Sequence, residues 1–319
     1  MIESEANSET AQYMSRNLII GAFVVAYAGK YMLVSQQNQV QVSKSIESSE
    51  KVPFEHPFFQ MLASYLGEFI FTIFYYIYKT IIWSDQVQKS EIRYVQFIYP
   101  ALCDFTQNLL FIFGISMLLP QMSIATKALA LPISAFFCRW SLLKIRKSFN
   151  MKQSMALLGI VVSVTIIFII SSSDELKLDG SAAIKREQEQ MTGLIMLGFS
   201  ACFQAFEVCL ENRLFMIEPD LTALSLQQAI ASWKLILVCI LALVGNYIIP
   251  RLGAATGSDT DHFNLYIKNM DEEKSLFGLM FGLMFVNGLQ ANLGMQVVKN
   301  ENAVFKQSTM LFSIPILWL

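Results

Sequence analysis

Lys127 lies in an apolar stretch whose composition suits the interior of a lipid bilayer. The stretch SIATKALALP covers residues 123–132, and Lys127 is its one charged residue. An uncompensated charge at membrane depth costs at least about 2.5 kcal/mol on insertion scales. Such a lysine is therefore paired with a carboxylate, extended towards the membrane interface, or placed to bind an anion.

Polar side chains recur at helical spacing inside several other apolar stretches. Residues three or four apart share one face of a helix, and lipid offers such groups no hydrogen-bond partner. The polar stripes must therefore face each other or a wet cavity, as they do along substrate and ion pathways. The predicted substrate-binding residues are Lys127, Lys306, Asp104, Gln107, Asn108, Gln204, Glu207, Asn287 and Glu68.

These residue types favour binding of a phosphate-bearing organic solute. Lys127 and Lys306 would supply positive potential, and the amide side chains would hydrogen-bond a sugar or a base. Asp104 and Glu207 leave a second alternative open, a carrier of cationic drugs, amines or other small metabolites. A third alternative is a membrane scaffold or adaptor that works through its loops and tails.

Each charge also has a structural interpretation. Polar residues can hold membrane helices together, and structural pairing alone could explain Asp104 or Glu68. Lys306 and Lys234 lie near the ends of their predicted helices, so on this interpretation both extend to the interface. Glu211 and Arg213 would then mark the cytosolic end of their helix.

Composition restricts the class of protein. The chain is 54% hydrophobic and 15% charged, with a mean hydropathy of +0.47, which is more apolar surface than a soluble core hides. The formal charge of −2 gives no general attraction to nucleic acid. The five cysteines all fall in apolar segments, so no disulfide framework is implied.

The sequence predicts neither an enzyme nor a metal or cofactor site. The two histidines, His56 and His262, are far apart, and the chain has no CxxC pair. Nucleotide-binding glycine loops, the zinc-protease HExxH and the hydrolase GxSxG are also missing from the sequence. The expected partners are the lipid bilayer and a small, anionic molecule, and a homodimer remains open.

At about 20 apolar residues per crossing, the sequence predicts an all-α membrane protein with nine helices. They cover residues 18–34, 58–83, 95–119, 121–143, 153–171, 192–212, 222–249, 276–298 and 302–319. An excess of Lys and Arg on one side, concentrated in KIRK at 144–147, predicts a cytosolic N-terminus. The sequence stops at LFSIPILWL without a polar flank, so we expect a truncated version of a longer protein.

An internal offset indicates two related halves. A shift of 179 residues maps Lys127 onto Lys306 and Asn108 onto Asn287, and leaves a tenth helix expected near 332–350. Because each half holds five helices, an odd number, the halves have opposite orientations. The predicted segments are a cytosolic tail (1–17), a first five-helix repeat (18–171), a non-cytosolic linker loop (172–190) and an incomplete second repeat (191–319).

Three motifs carry a resemblance to a known family. The stretch HPFFQMLASYLGEF beginning at His56, residues 100–137 and QAFEVCLENRLF at 204–215 resemble nucleotide-sugar-transporter-like members of solute carrier family 35, subfamily F, in the EamA-like drug/metabolite transporter superfamily. The resemblance implies ten helices in two inverted repeats, alternating access, and residence in the Golgi, endoplasmic reticulum or lysosome. It also places Lys127 where nucleotide-sugar carriers have a lysine that faces the substrate phosphate. Gln228 departs from the family pattern, which leads us to expect an acid nearby.

Overall fold

The computed structural model describes residues 2–43, 51–53, 57–82, 94–117, 125–139, 149–175, 181–243 and 263–313. Within these residues, two short strands form an antiparallel hairpin, in which β1 (Gln41–Ser43) pairs with β2 (Lys51–Pro53). A 3₁₀ turn (Tyr94–Phe97) precedes α3. The helices are α1 (Ile2–Gln39), α2 (Pro57–Ile82), α3 (Ile98–Met117), α4 (Ala130–Arg139), α5 (Met151–Glu175), α6 (Ser181–Ile217), α7 (Ala223–Leu243), α8 (Phe263–Glu272), α9 (Lys274–Asn300) and α10 (Ala303–Leu311).

Long apolar helices make the chain a multi-pass membrane protein of the all-α class. In the described part of the chain, five stretches are long and apolar enough to cross a bilayer, and Phe59–Phe74 in α2 is a shorter apolar stretch. The five stretches are Met14–Gln37, Met151–Ile170, Gln190–Ile217, Ala223–Leu243 and Lys274–Asn300.

The helices extend beyond the predicted membrane spans. α1 begins at Ile2, so most of the predicted tail 1–17 is helical, and α6 begins at Ser181 inside the predicted linker. The reason is local: the sequence AAIKREQEQ after Ser181 consists almost entirely of good helix formers. Residues 176–180 of the predicted linker lie outside the described part of the chain.

The described chain divides into two compact units. Unit 1 comprises Met1–Lys89, Leu221–Val297 and Phe312–Leu319, and unit 2 comprises Ser90–Asp220 and Val298–Leu311. Unit 1 therefore contains α1, α2, α7, α8 and most of α9, whereas unit 2 contains α3 to α6 and α10. Each unit combines helices from both predicted repeats.

Glycines allow close helix packing in unit 1. A Cβ added to Gly288 of α9 would lie 2.7 Å from Cβ of Phe71 and 2.8 Å from the carbonyl oxygen of Gly67, both on α2. α1 also contacts α9, where Gly29 lies beside Val286. α2 packs extensively on α7 as well. These contacts bring α2 against two helices that are more than 130 residues later in the sequence.

Unit 2 is built around α3, α4 and α6. α3 and α6 pack along most of their shared length, and Gly114 of α3 leaves room for the side chain of Leu197. α4 packs on α5, α6 and α10. Most described side chains of α5 are exposed, as expected for a helix that faces lipid on most sides, with Val164 buried.

Candidate functional site

Lys127 lies immediately before an interruption in its helix. Residues 125–128 are helical, Leu129 forms a turn, and α4 follows. Pro132 explains the interruption, because proline has no N–H to donate to the carbonyl of Ala128 and its ring crowds that carbonyl. The Leu129 N–H instead bonds to a carbonyl three residues back, at 3.0 Å. The predicted continuous helix is therefore divided beside the lysine.

The ammonium group of Lys127 lies over an aromatic ring. Its Nζ atom is 3.6 Å from the ring centroid of Phe111 on α3, and the Lys127 side chain is half-buried. The negative face of the ring attracts the cation, a contact worth about 0.5–2 kcal/mol. This contact holds Lys127 against α3.

Phe111 lies on the same face of α3 as three polar residues, Asp104, Gln107 and Asn108. Asp104 and Gln107 are buried, and Asn108 donates from Nδ2 to Asp104 Oδ1 at 3.0 Å. Ser200 on α6 donates to the Gln107 carbonyl at 2.9 Å. This bond places Ser200, a polar residue of α6, against the polar face of α3. Phe111 follows Gln107 by four residues and Asn108 by three, so the three share a helix face. Lys127, which lies over the Phe111 ring, is therefore next to this polar face.

Lys306 and Glu211 form a buried ion pair in unit 2. The distance from Lys306 Nζ to Glu211 Oε2 is 2.8 Å, and the side chains are 9% and 2% exposed. Two structural interpretations made from the sequence are therefore wrong. Lys306 does not extend to the interface, and Glu211 does not merely mark a helix end. The reason is that a buried lysine is stable only beside a counter-charge.

A helix cap determines where Lys306 lies. Asn302 precedes α10 and accepts a hydrogen bond from the Phe305 N–H at 3.0 Å through its side-chain oxygen. Its carbonyl accepts the Lys306 N–H at 3.1 Å. Asparagine is a preferred residue at this position because it satisfies the first N–H groups of the helix. α10 therefore begins where Lys306 can reach α6.

Gln204, one of the predicted residues, lies on the surface of α6 that contacts α10. It donates from Nε2 to Met310 Sδ at 3.3 Å, and its backbone carbonyl accepts from Gln307 at 3.4 Å. Its Oε1 atom is buried and has no hydrogen-bond partner among the described residues. Glu207 is buried one turn further along α6, within electrostatic range of Cys103 on α3. This part of unit 2 therefore contains two buried groups that can accept hydrogen bonds, the side-chain oxygen of Gln204 and the carboxylate of Glu207.

Unit 1 contains a second buried charged group, centred on Glu68 of α2. Lys234 on α7 lies 3.0 Å from Glu68 Oε2, and Gln227 donates to the same oxygen at 3.0 Å. Asn287 on α9 donates to Glu68 Oε1 at 2.8 Å and to the Ser64 carbonyl at 2.9 Å. Three donors from two helices therefore surround one carboxylate.

The Glu68 cluster corrects and extends the sequence prediction. Lys234 is only 4% exposed, so the expectation that it extends to the interface is wrong. Gln227 was not among the predicted residues; on this helix the sequence analysis considered only Lys234 and Gln228. The signal was present in the sequence, because residues 227 and 234 are seven apart and share a helix face.

The structure distributes the predicted binding residues between the two units. The residues in unit 2 are Lys127, Lys306, Asp104, Gln107, Asn108, Gln204 and Glu207, and those in unit 1 are Glu68 and Asn287. Glu68 and Asn287, predicted from different repeats, are in direct contact.

Among the residues that the structure describes, His, Cys, Asp and Glu form no group of three or more suited to a metal ion. His56 and His262 lie outside those residues. In comparisons with known proteins, no protein-family model matches the chain, and the search of curated proteins found no match.

Proposed function

We propose that the chain is a secondary transporter that moves a phosphate-bearing organic solute across an endomembrane by alternating access. The observation that carries this proposal is the position of Lys127, over Phe111 and beside the polar face of α3 that includes Asn108. The lysine lies at an interrupted helix, and interrupted helices commonly form the binding sites of transporters.

The surroundings of Lys127 suit an organic anion. Its ammonium would bind phosphate, while the amides of Gln107 and Asn108 and the ring of Phe111 lie on the adjoining face of α3. Aromatic rings stack on nucleobases, and amides hydrogen-bond their edges or a sugar hydroxyl. This combination favours a nucleotide-sugar-like solute over inorganic phosphate.

Lys306 contributes differently in this proposal. Glu211 neutralises it at 2.8 Å, so its charge is not available to a ligand while that contact holds. An anionic solute would have to displace the Glu211 carboxylate to bind Lys306. Lys127 is therefore the primary phosphate contact.

The packing of helices supports two repeats related by the 179-residue offset. The offset maps α3 onto α9 and α1 onto α6. In the structure α3 packs on α6, and α1 packs on α9. It also maps the α4 region onto α10, and these two helices are in contact. Equivalent contacts in the two halves are what an inverted repeat would produce, and they support the proposed ten-helix fold. An endomembrane location and a cytosolic N-terminus remain part of the proposal.

Counterflow tests the proposal. Full-length protein in proteoliposomes, preloaded with nucleoside monophosphates, is offered labelled nucleotide sugars. The proposal predicts uptake above that of protein-free liposomes, and preloading with buffer alone should abolish the excess. Uptake equal to that of protein-free liposomes for every nucleotide offered would contradict it.

A second candidate function is a carrier of organic cations. It is favoured by Asp104 and Glu207, two buried carboxylates on α3 and α6, which pack along most of their shared length. A buried carboxylate is the usual counter-charge for an amine in a membrane. This function predicts amine uptake that Glu207→Gln removes and Lys127→Ala spares, which is the opposite of the pattern for an anion carrier.

A further inference from the structure

Two buried cysteines on different helices of unit 2 are in van der Waals contact. The distance between Cys138 Sγ on α4 and Cys209 Sγ on α6 is 3.4 Å, and the residues are 1% and 0% exposed. Cys209 Sγ also donates to the Ser134 carbonyl at 3.6 Å. Nothing in the proposed transport site uses either thiol.

The two sulfur atoms are close enough to form a bond after a small movement. A disulfide has an S–S length of about 2.05 Å, so the sulfurs must approach by little more than an ångström. α4 and α6 already pack against each other, and the rings of Phe137 and Phe206 meet beside the cysteines with centroids 5.5 Å apart. We propose that Cys138 and Cys209 are an oxidative modification site, at which a peroxide forms a disulfide that joins α4 to α6.

The reaction balances with one peroxide molecule. The sulfur of one thiol attacks an oxygen of hydrogen peroxide, the O–O bond breaks, and the thiol proton passes to the departing hydroxide, so that a sulfenic acid and one water form. The second thiol then attacks the sulfenic sulfur, the S–S bond forms, and the hydroxyl group leaves as a second water. Two electrons and two protons pass from the thiols to the peroxide. Hydrogen peroxide is small and uncharged, which suits a buried site.

The disulfide would fix the part of unit 2 that carries the charged side chains. Cys138 lies six residues after Pro132, on the helix that follows Lys127, and Cys209 lies two residues before Glu211. A covalent bond would therefore hold α4 against α6 beside the Lys306–Glu211 pair. The inference does not depend on the proposed transport function, because bond formation is measured directly.

The test counts thiols before and after oxidation. Full-length protein in lipid nanodiscs is treated with hydrogen peroxide, quenched with catalase, denatured and alkylated with iodoacetamide, and its intact mass is measured. The 319-residue sequence contains five cysteines, and each of them should carry a label in the untreated protein. After oxidation the protein should carry two labels fewer. Trypsin should then release residues 128–139, which contain Cys138, joined to residues 187–213, which contain Cys209.

Two variants identify the bond. Cys202 lies on the same tryptic peptide as Cys209, so Cys202→Ser should keep the linked peptides and Cys209→Ser should lose them. An unchanged label count after oxidation of the wild-type protein would overturn the inference, as would added oxygen on Cys138 or Cys209 in place of a cross-link. The linked peptides of the wild-type protein test the inference even if a variant fails to fold.

Discussion

Lys306 and Glu211 are 95 residues apart in sequence, yet their charged atoms lie 2.8 Å apart in the interior of unit 2. Each residue would be costly alone at that depth, because a buried charge without a partner loses its hydration. The pair joins α10 to α6, so this contact between the two helices depends on one carboxylate.

Glu211→Gln tests this dependence. The substitution leaves Lys306 buried without its counter-charge, so we expect a loss of about 3–5 kcal/mol in stability and a lower unfolding temperature in detergent. The double variant Glu211→Gln with Lys306→Gln removes both charges and should recover most of the loss. Glu273→Gln is the control, because its contact with Lys51 is exposed and worth about 1 kcal/mol or less. Equal effects of Glu211→Gln and Glu273→Gln would show that the buried pair does not stabilise the fold.

Gln227 and Gln228 are adjacent residues with different predicted effects. Gln227 donates to the Glu68 carboxylate at 3.0 Å, whereas residue 228 is rotated by about 100° around α7. Gln227→Leu removes a hydrogen bond to a charged group and should lower stability by about 1.5–3 kcal/mol. Gln228→Leu should change it much less. Thermal unfolding of the two variants, compared side by side, checks the prediction, and a larger effect at Gln228 would contradict the geometry of the cluster.

Gly288 tests the close approach of α2 and α9. A Cβ at this position meets the backbone oxygen of Gly67 at 2.8 Å and Phe71 Cβ at 2.7 Å, so Gly288→Ala must separate the two helices. We expect lower yield of folded protein and a lower unfolding temperature, with a cost of about 1–3 kcal/mol for overpacking. Gly278, on the same helix, has nothing within 4 Å of an added Cβ, so Gly278→Ala should be tolerated. A Gly288→Ala protein as stable as Gly278→Ala would show that the helices are further apart.

Phe111 should influence substrate affinity through Lys127. Loss of the ring in Phe111→Leu removes a contact worth about 0.5–2 kcal/mol, so an affinity change of about 2- to 30-fold is expected if the ring positions the lysine. Phe111→Trp should retain binding, because tryptophan provides the stronger face for a cation. Phe113→Leu, at a 40% exposed position on the same helix, is the control. The KM for counterflow is the measurement, and equal KM values for Phe111→Leu and Phe113→Leu would exclude this role.

The sequence predicted the class of fold because apolar length is a local property. It also pointed to Lys127, Lys306 and Glu68 as charged residues inside apolar stretches, because a charge is conspicuous in such a stretch. Pro132 was a visible signal for the interruption beside Lys127, although the predicted helix ran through it. These features depend on a few neighbouring residues, and the sequence contains them directly.

The pairing of the charges could not be predicted in the same way. Lys234 meets Glu68 across 166 residues, and that contact depends on how α7 packs on α2. Helical periodicity identifies a face but not the helix that covers it. For the same reason the expected interface positions of Lys234 and Lys306 were wrong, because their distance from a helix end did not indicate which carboxylate lay opposite.

The most direct measurement is nucleotide-sugar counterflow by three variants of the full-length protein at matched protein level. Lys127→Ala removes the proposed phosphate contact, Glu207→Gln removes a buried carboxylate, and Lys299→Ala removes an exposed lysine near Phe215 as a control. The account predicts that Lys127→Ala loses most exchange while Lys299→Ala retains it. Exchange by Lys127→Ala equal to that of Lys299→Ala would contradict a phosphate-binding role for Lys127.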